Sequence, residues 1–213
     1  MSRRWSLRLG AAPLALLTVA CGRTPEPGIA RGKDLYDTCV PCHGANGGGN
    51  QTLGAPRIAG LPQWYVEAQL AGFQAGNRGY DAFDTVGIKM KTISWTLDLE
   101  GDIGSVAAYV ASLSPALPVS QTQGLAGDPE AGRQVWTTCA VCHGADARGN
   151  QNLRAPPLAG QADWYLHRQL RNFRAGWRGT RRTDAWGAVM RPNAGTLDDA
   201  AIANVVAYIR TLK

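Results

Sequence analysis

Two short stretches hold the residues best placed to do chemistry. Residues 38–44 read TCVPCHG and residues 138–144 read TCAVCHG, so Cys39, Cys42 and His43 recur as Cys139, Cys142 and His143. A zinc site would need both CxxC pairs combined into one Cys₄ set, but 100 residues separate them, far from the usual ribbon spacing. A redox dithiol wants a βαβ setting, for which no alternating strand pattern exists, and it leaves the adjacent histidine unexplained.

Covalent attachment of haem c accounts for every residue of the motif. Both thiols add to the vinyl groups of haem, and the helical turn aims the following histidine, His43 or His143, at the iron. Two haem c groups are thus expected. Each iron then needs a sixth ligand. The chain has three methionines: Met1, and Met90 and Met190, each 47 residues after its histidine. A lone methionine is more often core filler, but two at equivalent positions, with no others beyond Met1, read as thioether ligands. His167 matches Glu67 in the first copy and reads as a surface residue.

These residues sit in a module that occurs twice. Residues 31–90 and 131–190 align without a gap, with 27 identities in 60 positions. A repeat of this length is a domain rather than a solenoid unit. The expected organisation is a signal peptide over 1–20, one domain over 29–113, a Pro/Ser-containing linker over 114–127 and a second domain over 128–213. Three helical stretches are expected in each copy: one leading into the CxxCH, one beginning near Trp64 or Trp164, and one over Asp102–Leu113 or Asp199–Leu212. Asp128-Pro129-Glu130 supplies an N-cap, a first-turn proline and an acid in order, which predicts a helix running into Cys139. The fold class is all-α. So few helices with so much Gly- and Pro-rich loop make a poor core, and a large apolar cofactor in the middle would resolve that.

The N-terminus resembles an export signal, with Arg3, Arg4 and Arg8 before the twelve apolar residues Leu9–Ala20, too few for the roughly 20 needed to span a bilayer. Cys21 follows. It is the one cysteine outside the two CxxC pairs, which favours lipidation and a membrane anchor over ordinary cleavage after Ala20. The formal charge is +6. Without the signal it is +3, divided as −2 over residues 21–120 and +5 over 121–213. An exported chain does not meet nucleic acid, so the asymmetry points to docking on a protein or an anionic membrane. Arg168, Arg171, Arg174 and Arg178, with Arg181 and Arg182 beyond, form the expected basic face toward an acidic partner.

CVPCHG with Met90, and CAVCHG with Met190, each resemble a class I cytochrome c domain. The tandem resembles the dihaem cytochrome c4 type over about residues 29–213. The first copy departs from the pattern in having Lys91 and Thr92 after Met90, where the second has Pro192 close behind Met190. The resemblance implies two class I cytochrome c domains in which the first and last helices cross, with Gly32 or Gly132 allowing close approach. Pro56 and Pro156 are placed to offer a carbonyl to the histidine Nδ1–H, although a loop proline would look the same. Arg78 and Arg178 suit haem propionates, the alternative being solvated arginines.

The function implied is a relay of electrons, not an enzyme. Iron with both axial positions filled leaves no place for a substrate, and a thioether ligand raises the potential. The resemblance implies redox protein partners: a quinol-oxidising complex or dehydrogenase upstream, a terminal oxidase or reductase downstream. The alternatives are a dihaem peroxidase or other haem oxidoreductase, or a fixed subunit of a larger complex.

Overall fold

A computed structural model describes residues 26–97, 100–114 and 126–212. The expected signal, Cys21 and most of the linker lie outside the described residues. Among the described residues there is no strand, only isolated bridges at Asn50–Ala55 and Asn150–Ala155, and the fold is all-α. The first copy contains α1 (Ile29–Tyr36), α2 (Val40–His43), α3 (Gln63–Gln74), α4 (Thr85–Ser94) and α5 (Asp102–Ser112); the second contains α6 (Pro129–His143), α7 (Asp163–Arg174), α8 (Ala185–Gly195) and α9 (Asp199–Ile209). No helix among the described residues is long and apolar enough to cross a membrane.

The second copy enters its CxxCH on one continuous helix, capped by the Asp128 carboxylate accepting from Glu130 N–H with Pro129 in the first turn. In the first copy the same path breaks between α1 and α2. Pro41 stands where the second copy has Val141. It has no N–H to give to the carbonyl of Asp37, and its ring crowds that turn.

The first and last helices of each copy cross at a glycine. A Cβ on Gly32 would stand 1.9 Å from the carbonyl oxygen of Ser105, and one on Gly132 at 1.9 Å from that of Asn204. Beside each crossing an aromatic pair packs, Tyr36 with Tyr109 and Trp136 with Tyr208. Val106 and Val110 on α5, and Val205, Val206 and Ile209 on α9, are almost fully buried against these rings. Each such aliphatic side chain contributes roughly 1.5–3 kcal/mol on leaving water.

The three helices expected per copy are too few: α4 and α8, which carry Met90 and Met190, were not anticipated. Each begins at an aspartate, Asp84 or Asp184, whose carboxylate accepts from the N–H of Gly87 or Gly187. Their sequences lack an apolar stripe. Ile88, Ile93, Trp186 and Val189 on them are exposed, so the period that marks a core-facing helix is absent.

The copies face one another through polar and aromatic contacts. Tyr80 donates to the carbonyl of Gly176 at 3.1 Å. Asn77 and Thr183 exchange hydrogen bonds, and the rings of Phe83 and Trp177 stack at 5.5 Å.

Candidate functional site

The histidine of each motif ends its helix and is 5% exposed. Gly44 and Gly144 follow with φ of 76° and 80°, a backbone turn that suits glycine and sends the chain away from the ring. Thirteen residues further on, the loop returns. His43 Nδ1 lies 2.9 Å from the carbonyl oxygen of Pro56, and His143 Nδ1 lies 2.9 Å from that of Pro156. A carbonyl only accepts, so Nδ1 carries the proton and Nε2 keeps its lone pair. Burial lowers the pKa of both imidazoles, the bond to the proline carbonyl opposing it in part. Each ring is therefore neutral at pH 7, the form that binds a metal.

The thiols are unpaired in disulfides: Cys39, Cys139 and Cys142 are partly buried and Cys42 is exposed. Burial, helped by neighbouring Cys42, pushes Cys39 up to about 11, and burial raises Cys139 as well. Thiols held protonated in this way are not poised as the low-pKa thiolates of a redox dithiol.

Cys39, His43 and Met90 line one cavity in the first copy, between α3, α4 and α5, of about 110 Å³ and partly open to solvent. The walls are largely apolar, with Leu70, Val106 and Val110 among them. Met90 is half-buried and packs against the same cluster as Tyr36 and Leu70. Met190 occupies the equivalent position on α8, also half-buried.

Arg78 and Arg178 meet at the boundary between the copies, each 8% exposed. Arg78 donates to Gln69 Oε1 at 2.7 Å and toward Gln169 Oε1 at 3.4 Å; Arg178 donates to Gln169 at 2.6 Å and toward Gln69 at 3.5 Å. Each guanidinium lies over a phenylalanine, Arg78 over Phe73 and Arg178 over Phe173, a little over 4 Å from the ring centre. Their partners in this network are neutral, and the buried Nε of each lacks an acceptor. Burial, with Arg78 alongside, pulls Arg178 down to about 10. Two buried cations side by side call for anions. Haem carboxylates are anions of suitable shape, so the thiols, the neutral histidines, the apolar cavity and these arginines together fit haem c.

The basic face expected on α7 is largely consumed inside the molecule. Arg168 donates across to the carbonyl of Gly54 at 2.6 Å, Arg174 is tied to the carbonyl of Leu197 and to Asp199, and Arg178 is buried. Helical spacing put Arg168, Arg171, Arg174 and Arg178 on one face, but α7 ends at Arg174, Arg168 packs on the first copy and Arg174 is tied to α9. Arg171, Arg181 and Arg182 remain exposed, Arg181 with its guanidinium over the Tyr80 ring. The lower boundary of the cavity was also missed in the sequence: Gln161, Tyr165, Arg168 and Gln169 of the second copy help line the cavity of the first. Only the repeated Gln-Leu and Trp-Tyr pairs hinted at this.

A helical domain built round a CxxCH, with a histidine and a methionine on one cavity, defines a cytochrome c. The cytochrome c family model matches residues 29–114 and again 129–213, and the chain belongs to that family, with two haem c groups, one in each domain. It is 28% identical to cytochrome c4 of Azotobacter vinelandii over 86% of this chain and 88% of that one. It is 32% identical to the thiosulfate dehydrogenase electron acceptor of Thiomonas intermedia (strain K12), over 66% of this chain and 64% of the acceptor. The crystal structure of reduced cytochrome c4 from Pseudomonas stutzeri superposes with a TM-score of 0.69 at 25% identity, over 88% of this chain and 100% of that one.

Proposed function

We propose that this dihaem cytochrome c is a carrier, not an enzyme, exported to the periplasm, held at the membrane by a lipid on Cys21, and relaying electrons between a quinol-oxidising complex or dehydrogenase and a terminal oxidase or reductase. The observation that carries the reading is the cavity on which Cys39, His43 and Met90 converge. In this reading Cys39, Cys42, Cys139 and Cys142 would form the thioethers, His43 and Met90 would hold one iron, and His143 and Met190 would hold the other. Haem iron so held takes up and releases one electron without opening a coordination position.

The chain's own residues keep that exchange cheap. The Pro56 and Pro156 carbonyls fix the imidazole rings and enrich them as ligands. Leu70, Val106 and Val110 exclude water, and Arg78 and Arg178 supply the cations for propionates. A dehydrogenase acting on thiosulfate is a supported upstream partner, since an electron acceptor of such an enzyme is among the relatives. An enzymatic reading needs an acid–base residue beside an openable iron. His167, the spare histidine, is half-buried on α7 and does not line the first-domain cavity.

A reduced-minus-oxidised spectrum combined with a redox titration tests the relay: two one-electron steps with methionine-ligated spectra are expected. A haem that binds cyanide or peroxide rapidly at one domain would overturn it in favour of an enzyme. Mass spectrometry of the mature N-terminus tests the anchor, an unmodified Cys21 released without detergent counting against it. Co-purification in fixed proportion with a second protein would favour a permanent subunit.

A further inference from the structure

We propose that Arg168, contributed by the second domain, is an electrostatic positioning residue for the haem of the first domain, raising that haem's potential above the value its own domain would set. The inference rests on the assignment of the first-domain cavity to haem.

Most charged or polar groups around this cavity come in matched pairs. Arg78 has Arg178, Asp84 has Asp184, Gln69 has Gln169 and Tyr65 has Tyr165, so their effects on the two sites are similar. Two cations lack such a counterpart: Arg57 belongs to the first domain itself, where the second copy has Pro157, and the other is Arg168, where the first copy offers Ala68. Its guanidinium crosses the boundary and donates to the carbonyl of Gly54 at 2.6 Å. It lies over the rings of Trp164 and Tyr165 and lines the cavity shared by Cys39, His43 and Met90. Its Nε is buried without an acceptor.

The second copy has an added cation of its own, Arg154 in place of Gly54, but that residue is exposed and lies 5.9 Å from the centre of the Trp186 ring. Water screens it. A half-buried charge beside an apolar cavity acts through a lower dielectric and is felt far more strongly. A fixed cation disfavours the oxidised, more positive iron and so favours the reduced one. The haem of the first domain is therefore favoured in its reduced form by an arginine that the second domain contributes, and electrons are drawn toward the first domain.

The test is an NMR-followed redox titration, assigning each step by domain-specific haem-methyl resonances, on the parent, Arg168→Met and Arg168→Lys. Haem content is measured in each. Arg168→Met keeps the stem and removes the charge; it is expected to lower the potential of the first-domain haem alone, and Arg168→Lys to restore most of the shift. Equal shifts at both haems, or no shift with both haems retained, overturn the proposal. Absence of covalent haem from the first domain of the parent itself would instead overturn the assignment of the cavity.

Discussion

Gly32 and the carbonyl of Ser105 touch so closely that the space for a single methyl group between α1 and α5 does not exist: the carbon would lie 1.9 Å from the oxygen. The neighbour is helix backbone, which cannot rotate aside. Gly32→Ala, and likewise Gly132→Ala against Asn204, should destabilise its domain by about 1–3 kcal/mol or more, lowering the melting temperature by some 4–8 °C per kcal/mol for a domain of this size. Gly195→Ala, where nothing lies within 4 Å, should leave thermal unfolding unchanged or slightly later.

Met90→Ala and Met190→Ala should each abolish the weak near-infrared methionine–iron charge-transfer band of one domain, leaving roughly half of the parent intensity. Retention of the full band in both single variants would refute the ligand assignment.

Arg154 adopts φ 52°, where the first copy has Gly54 at φ 72°. A side chain there is strained by about 1–2 kcal/mol, and this one is exposed. Arg154→Gly should therefore stabilise the second domain by up to about 1 kcal/mol once the greater freedom of glycine in the unfolded chain is subtracted. Calorimetry of the two unfolding transitions measures it.

Arg171, Arg181 and Arg182 are the exposed remainder of the basic segment, Arg181 lying over the Tyr80 ring. The double variant Arg171→Glu, Arg182→Glu should slow electron transfer to an acidic partner several-fold at low salt, and much less at high salt, where the screening length falls to about 3 Å at 1 M. Arg174→Glu acts differently. It breaks the tie to Asp199 and Leu197 and should lower stability at any salt concentration, a difference that stopped-flow kinetics and melting curves together would reveal.

What could be read from the chain alone were features fixed by local rules or by repetition. Asp128-Pro129-Glu130 announces α6 because a cap and a first-turn proline act within one turn. The crossing at Gly32 and Gly132 was expected from the resemblance to class I cytochrome c domains, and the repeat supplies it twice. By contrast α4 and α8 were invisible, because they flank a cavity and carry no apolar stripe for the period to detect. The fate of Arg168, Arg174 and Arg178 was equally hidden. Spacing says that residues share a face; whether that face meets water, α9 or the other domain depends on contacts from up to 114 residues away.

The contact of Arg78 with Gln169 is answered by that of Arg178 with Gln69. Such an arrangement is isologous: one patch meets its own likeness across an approximate two-fold axis. A patch of this kind is used up by a single pairing. A third copy added to the chain would find this patch already occupied on both of the first two.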